Sequence, residues 1–127
     1  MTRSNPPAVP DLGIVELLEP DFISQTDGAV EIVFQIKREF TIGGGVVQGG
    51  IVASMLDMAM AMSSGGAIST ASMQFEILRP VTRAPLTVRG KISKRGRRIV
   101  FAEAEMHDGA GKLVARGTQT AVPMEMP

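Results

Sequence analysis

The sequence predicts an α+β fold in which an antiparallel sheet packs around one buried helix. One observation is an almost wholly apolar run at residues 49–64, which is long enough for a helix and apolar on every side. The other is a series of segments in which apolar and polar residues alternate, the period typical of strands. One central helix combined with a run of hairpin-linked strands is typical of α+β domains.

The composition narrows the class of protein. The 127 residues suit one compact domain, which we place at 13–127 after a proline-rich extended arm at 1–12. Thirteen basic residues balance thirteen acidic ones, so no net charge attracts nucleic acid or an anionic membrane. With no cysteine and one histidine, a disulfide scaffold is excluded and a zinc site is not expected. No run has the length of a membrane span or the form of a signal peptide, so we expect a cytoplasmic protein.

The elements before the helix follow from local patterns. Residues 13–18 are compatible with a short helix or an edge strand. A turn at 26–28 precedes a strand at 30–36, in which the even-numbered residues are apolar. A loop follows at 41–45, because three consecutive glycines favour no regular element.

The chain after the helix has the pattern of strands. We expect four of them, at residues 69–78, 86–92, 100–106 and 112–122. The first ends before Pro80, which cannot donate to a sheet. Turns at 94–97 and 108–111 separate the last three, and this spacing indicates hairpins.

A single carboxylate, Asp57, stands near the middle of the apolar helix. Burying it is costly unless it is hydrogen-bonded, for example to Ser54 or to neighbouring backbone, or unless it performs chemistry. Gly49 and Gly50 begin the helix, where free N–H groups and the positive end of the helix dipole can stabilise an oxyanion. An oxyanion donor and a carboxylate base are the groups needed to hydrolyse an activated acyl compound.

Two further groups of residues have both an ordinary and a functional interpretation. The helix holds four methionines within eight positions, which either fill the core or, as with Met58, line an adaptable acyl pocket. Residues 93–98 contain four cations. They form either a charged hairpin tip or a clamp in which Arg95 and Arg97, with Arg79 as a weaker candidate, bind phosphate oxygens.

The segment 45–57 reads Gly-Val-Val-Gln-Gly-Gly-Ile-Val-Ala-Ser-Met-Leu-Asp. It resembles the signature of hotdog-fold acyl-CoA thioesterases of the phenylacetate-degradation (PaaI-like) type, roughly G-x-x-H-G-G-x-x-x-x-x-x-D. The similarity continues through Phe-Glu-Ile-Leu-Arg-Pro at 75–80, the Gly-Arg hairpin at 96–97 and the turn and strand at 108–115. It covers about residues 12–122.

This resemblance implies a curved antiparallel sheet wrapped around the helix, in a dimer or a dimer of dimers. The family's oxyanion donor falls on the N–H of Gly49, its catalytic carboxylate on Asp57 and its helper hydroxyl near Thr70. The sequence departs from the family at two positions. Gln48 replaces the usual histidine, and Ile42 replaces an asparagine. Gln48 can still hydrogen-bond a carbonyl or fix the loop, but it cannot exchange a proton near neutral pH.

The spacing of Gly49 and Asp57 independently favours a dimer. Eight residues at the helical rise separate them by roughly 12 Å, so one chain cannot bring both to the same thioester carbon. Two helices related by a two-fold axis could place one chain's glycine beside the other's carboxylate. The active site would then be shared between subunits.

The function predicted is hydrolysis of a small or medium acyl- or aryl-CoA, with Asp57 as base or nucleophile. Coenzyme A is part of the substrate, and no separate cofactor, nucleic acid or membrane is expected. One alternative is a non-catalytic acyl-CoA binding protein, which the departures at Gln48 and Ile42 suggest. An enoyl-thioester hydratase is less favoured, because such enzymes depend on a histidine near the helix and this region has none.

Overall fold

A computed structural model describes residues 13–65 and 68–124 of the chain. A single antiparallel sheet of six strands packs on one long helix, which confirms the predicted α+β architecture. The elements in chain order are α1 (Ile14–Leu18), β1 (Asp21–Thr26), β2 (Ala29–Phe34), a 3-10 helix (Arg38–Phe40), α2 (Gly49–Met62), β3 (Ile68–Ile77), β4 (Leu86–Arg95), β5 (Val100–His107) and β6 (Leu113–Pro123). The predicted arm at 1–12 lies outside the described residues.

The strand order is β1-β2-β4-β5-β6-β3, so β3 pairs with β6 and not with β4, which follows it in the chain. The predicted hairpin turns at 94–97 and 108–111 are confirmed, because β4 pairs with β5 and β5 with β6. The run of hairpins does not extend back to β3, which is not paired with β4. The physical reason is the position of α2, which runs across one face of the sheet between β2 and β3. The chain leaves one half of the sheet after β2 and returns at the opposite edge.

Small residues in the sheet allow α2 to approach closely. Gly90 of β4, Ala104 of β5 and Gly117 of β6 are register partners in one row across the sheet. A Cβ atom at Gly90 would lie 2.4 Å from the backbone oxygen of Ala59 in α2, a distance that no real side chain tolerates. The sheet therefore curves around the helix, and most of the apolar side chains of α2 enter the core.

One stripe of α2 is not buried in the single chain. Gly50 is exposed, while Ser54, Asp57 and Ala61 are half-buried. Their spacing of four, three and four residues places them on one face of the helix. We call these four residues the helix stripe. The prediction of a buried helix holds for the face that packs on the sheet, which carries Val52, Met55, Leu56, Met58, Ala59 and Met60. It does not hold for the helix stripe, because the sheet covers the helix from one side only.

The turn between β5 and β6 is held by a carboxylate. Asp108 Oδ1 accepts hydrogen bonds from the backbone N–H groups of Lys112, at 3.0 Å, and Ala110, at 2.9 Å. The bond from Lys112 is the main cause that lowers the pKa of Asp108 below its ordinary value of 3.8. Hydrogen bonds to the charged form favour ionisation, so the ionised side chain stabilises this turn.

Asp108→Ala should lower the unfolding temperature at neutral pH, because two backbone donors lose their acceptor. The pKa of Asp108 is lower in the folded chain than the unfolded value of 3.8, so its contribution is fully present above that pH. It is lost as the pH falls through the lower, folded value. Thermal unfolding of both proteins across this range checks the prediction. A difference that grows on acidification would contradict it.

Candidate active site

The carboxylate of Asp57 is anchored through one oxygen. Its Oδ1 accepts a hydrogen bond from Thr70 Oγ1 at 2.6 Å and another from Gln119 Nε2 at 2.8 Å. Ser54, the partner considered from the sequence, instead donates to the backbone oxygen of Gly50 at 2.9 Å. Within the part of the chain that the structure describes, Oδ2 of Asp57 accepts no hydrogen bond. The carboxylate is thus fixed in orientation and keeps one oxygen available.

Two neighbouring strands supply the donors to Asp57. Thr70 lies near the start of β3, and Gln119 lies on β6, with Ala121 and Met73 as the respective register partners. The β3 ladder shifts register between residues 70 and 72, as a β-bulge does. A bulge changes which face a side chain occupies, and here Thr70 reaches the same carboxylate oxygen as Gln119. Local irregularity in β3 therefore helps to build the site.

The N-terminus of α2 presents free backbone donors. Gln48 is the N-cap residue, and its side-chain Oε1 accepts from the N–H of Ile51 at 3.0 Å. The N–H groups of Gly49 and Gly50 donate no hydrogen bond to any described residue. Gly49 is half-buried and Gly50 is exposed. The positive end of the helix dipole adds to these donors, so an anionic oxygen can bind here.

The free N–H of Gly49 and the carboxylate of Asp57 lie at opposite ends of β3. A Cβ atom at Gly49 would be 3.6 Å from Ile77 Cδ1, at the end of β3, whereas Asp57 contacts Thr70, near its start. Their separation along α2 is roughly 12 Å, from eight residues of helical rise. One chain therefore carries the two groups but does not bring them together.

The three arginines predicted as phosphate ligands are also separated within one chain. Arg79 follows Ile77 closely and so lies at the Gly49 end of the helix. Arg95 ends β4 and Arg97 lies in the following hairpin, at the other end of the sheet. The predicted phosphate clamp is consequently split into two parts in one chain.

The other residues predicted to bind substrate lie in different parts of the structure. Met58 is 6% exposed and belongs to the hydrophobic core. Arg95 forms an exposed ion pair with Asp27 at 3.4 Å, as expected for a charged hairpin tip. The lack of a side chain at Gly50 leaves room for Gln48, because a Cβ atom there would be 2.8 Å from Gln48 Oε1. Gly50 thus allows the cap to form.

Two kinds of feature are absent from the described residues. No group of three or more His, Asp or Glu side chains in residues 13–65 and 68–124 is arranged to hold a metal ion. No helix in these ranges is long and apolar enough to cross a bilayer. The one histidine, His107, ends β5 opposite Thr87 of β4 and Leu113 of β6. Leu113 lies at the start of β6, six residues before Gln119.

Sequence comparison assigns the family. Residues 36–122 match the family model described as the acyl-CoA thioesterase N-terminal domain, which covers more than half of the chain. The chain belongs to this thioesterase family. A relative in Saccharolobus solfataricus, named as a putative esterase, is 30% identical over 108 residues, which cover 81% of this chain and 77% of the relative.

Solved structures of two proteins linked to phenylacetic acid degradation have the same fold. A phenylacetic acid degradation-related protein from Ralstonia eutropha is 28% identical, with a TM-score of 0.80 over 90% of this chain and 92% of that one. The PaaI protein of the E. coli phenylacetic acid degradation operon is 20% identical, with a TM-score of 0.81 over 89% and 85%. The predicted PaaI-like hotdog fold of this thioesterase-family chain is confirmed.

Proposed function

We propose that this thioesterase-family chain hydrolyses a small or medium acyl- or aryl-CoA to the free acid and coenzyme A. The observation that carries the proposal is the carboxylate of Asp57, with Oδ1 held by Thr70 and Gln119 and Oδ2 left open within the described residues. A carboxylate fixed in this way is oriented to take a proton from water or to attack the thioester carbon. Coenzyme A enters as part of the substrate, and the reaction needs no separate cofactor or metal.

The N–H of Gly49 would stabilise the oxygen of the tetrahedral intermediate. This group donates to no described residue and lies at the positive end of the helix dipole. A donor already in place when negative charge develops lowers the barrier without reorganisation. Loss of one such donor typically costs ~10²–10³ in turnover. Gly49 would therefore stabilise the developing negative charge, and Asp57 would activate or supply the nucleophile.

A dimer would complete the site. The helix stripe is uncovered in the single chain, and the strand beside it, β3, forms an edge of the sheet with Phe75 and Ile77 about 40% exposed. A second copy packed there about a two-fold axis would cover the stripe and extend the sheet. Antiparallel helices would bring Gly49 of one subunit toward Asp57 of the other. A dimer of dimers would repeat the same shared site.

The same dimer would bring the arginines predicted to bind phosphate close together, although they are separated within one chain. In an antiparallel pair, Arg79 of one subunit lies at the same end as Arg95 and Arg97 of the other. Guanidinium groups bind phosphate oxygens through paired hydrogen bonds, which suits the phosphates of coenzyme A. No excess of positive charge exists that would favour nucleic acid, since basic and acidic residues are 13 each.

Release of free thiol from a panel of acyl-CoAs tests the proposed function. The panel should include short, medium and aromatic acyl groups, with binding measured in parallel. Thiol release by the wild-type protein supports the thioesterase. Saturable binding without release would favour the non-catalytic acyl-CoA binding protein, and neither binding nor release would contradict both.

Gln48→Ala should lower the free energy of unfolding by about 1 kcal/mol, because an N-cap acceptor is lost. Turnover should fall by much less than on removal of Asp57, since the cap only supports the free donor at Gly49. Chemical denaturation and thiol release check both effects. Gln48→Ser is the matched control, because serine restores a cap acceptor. Turnover lost as fully in Gln48→Ala as in an Asp57 variant would show that Gln48 takes part in the chemistry directly.

A further inference from the structure

Gln119 is a buried polar residue in surroundings that favour an apolar one. It is 3% exposed, and the neighbouring helix-facing positions of β6 hold the buried residues Gly117 and Ala121. Its register partners on the strands at either side are Ala102 and Met73. A polar side chain in such a place costs free energy unless its hydrogen bonds are made.

The fold satisfies only one end of the Gln119 amide. Nε2 donates to Asp57 Oδ1 at 2.8 Å. Oε1 is enclosed by protein and accepts no hydrogen bond from any described residue. Because a buried acceptor without a partner lowers stability, an apolar side chain of similar size would suit the fold at least as well. The contact with Asp57 is what distinguishes glutamine from an apolar residue at this position.

That contact controls the orientation of the carboxylate. The last side-chain torsion of aspartate has no sharp preference, so its carboxylate rotates unless it is held. Thr70 also donates to Oδ1, at 2.6 Å, but Thr70 is exposed and its hydroxyl can turn toward water. Gln119 is enclosed, and its strand β6 is paired on both sides, by β5 and β3. Its amide is therefore the more rigid of the two donors.

We propose that Gln119 is a positioning residue, whose buried amide holds Asp57 so that Oδ2 faces the reacting groups, at a cost in stability. It requires no contact with the acyl-CoA and acts through Asp57 alone. The inference rests on the proposed thioesterase function. It applies whether Asp57 is a base or a nucleophile, because both roles need the same oxygen held in place. Loss of stability in exchange for activity is common at functional sites.

Gln119→Met removes the amide and keeps the length of the side chain. We expect kcat for thiol release to fall ~10–100-fold, since a small misplacement of a reacting group has effects of this size. KM should stay within about three-fold, because the acyl-CoA loses no contact. The unfolding temperature should equal or exceed that of the wild type, because the enclosed acceptor is gone and Thr70 still donates to Asp57. Gln35→Met, at an exposed position, is the matched control and should leave all three quantities unchanged.

A second measurement separates positioning of Asp57 from any other role. In the Asp57→Asn protein, Gln119→Met should change the residual kcat by less than about two-fold, because the carboxylate through which Gln119 acts is already absent. The same substitution should thus have a large effect in the wild type and almost none in this background. Gln119→Leu, which also removes the amide, repeats both measurements with a different apolar side chain.

The outcomes separate this inference from the proposed function. An unchanged kcat in Gln119→Met, with an active wild type, would overturn the role of Gln119 and leave the thioesterase standing. An equal fall in kcat with and without the Asp57 carboxylate would do the same, since the amide would then act independently of it. A large loss of stability in both Gln119 variants would assign the amide to the fold and overturn the inference. Absence of thiol release by the wild type across the panel would overturn the proposed function and this inference with it.

Discussion

Asp57→Asn should reduce kcat for thiol release by ~10²–10⁴, the range expected when a general base is removed. The reason lies in the two carboxylate oxygens. An asparagine retains Oδ1, so Thr70 Oγ1 and Gln119 Nε2 keep their acceptor at 2.6 and 2.8 Å. An amide nitrogen replaces Oδ2, and it can neither take a proton from water nor attack. The variant should therefore fold and fail to turn over.

The matched control is Asp21→Asn at the exposed start of β1, which makes the same chemical change away from the site. Its turnover and unfolding temperature should equal those of the wild type. Equal turnover in a folded Asp57→Asn protein would remove Asp57 from the mechanism. Loss of turnover in both variants would point to a general dependence on charge and not to this carboxylate.

The elements that sequence predicts well are those with strong local signals. The helix is expected at residues 49–64 and observed at Gly49–Met62, because the glycine pair begins it and the apolar run continues it. Strands β3 and β6 also lie within two residues of their predicted bounds. The strand β1 is absent from the prediction. All six of its residues are exposed, so it lacks the alternation that identifies a half-buried strand.

Strand order is not a local property. The pairing of β3 with β6 joins residues that are 38 positions apart at Ile77 and Ala115 and 55 apart at Ile68 and Pro123, so no local turn marks it. Family resemblance supplied the curved sheet around a helix, whereas alternation alone suggested only a run of hairpins. Alternation misses the position of β3 because the chain crosses the sheet in α2 before β3 begins, and the crossing leaves no mark in the alternation of β3 itself.

The residues of the candidate site also differ in how well the sequence predicts them. Asp57 is conspicuous in sequence because a carboxylate interrupts an apolar helix, and Thr70 follows from the family resemblance. Gln119 was missed. It stands between two threonines in an alternating strand, where any polar residue looks solvent-facing. Only the register of β6 and the curvature of the sheet turn it toward α2, and neither is encoded near residue 119.

A test for a shared site requires a variant that removes the Gly49 N–H without disturbing the helix. Gly49 is the first residue of α2, a position where proline is well tolerated. Gln48 before it already has φ −64° and ψ 139°, which suits a residue preceding proline. Gly49→Pro should thus fold and lose the N–H. Gly49→Ala is its control, because an added Cβ atom would meet only Ile77 Cδ1 at an ordinary 3.6 Å and the N–H remains.

Mixing Gly49→Pro subunits with Asp57→Asn subunits should restore activity that neither has alone. If each site takes Gly49 from one subunit and Asp57 from the other, every mixed dimer holds one site with both defects and one with neither. Random exchange makes half of the dimers mixed, so about a quarter of the sites should work. Thiol release after unfolding and refolding the two together measures this, with native mass spectrometry to verify exchange. Mixed dimers without activity would mean that both groups act from the same chain.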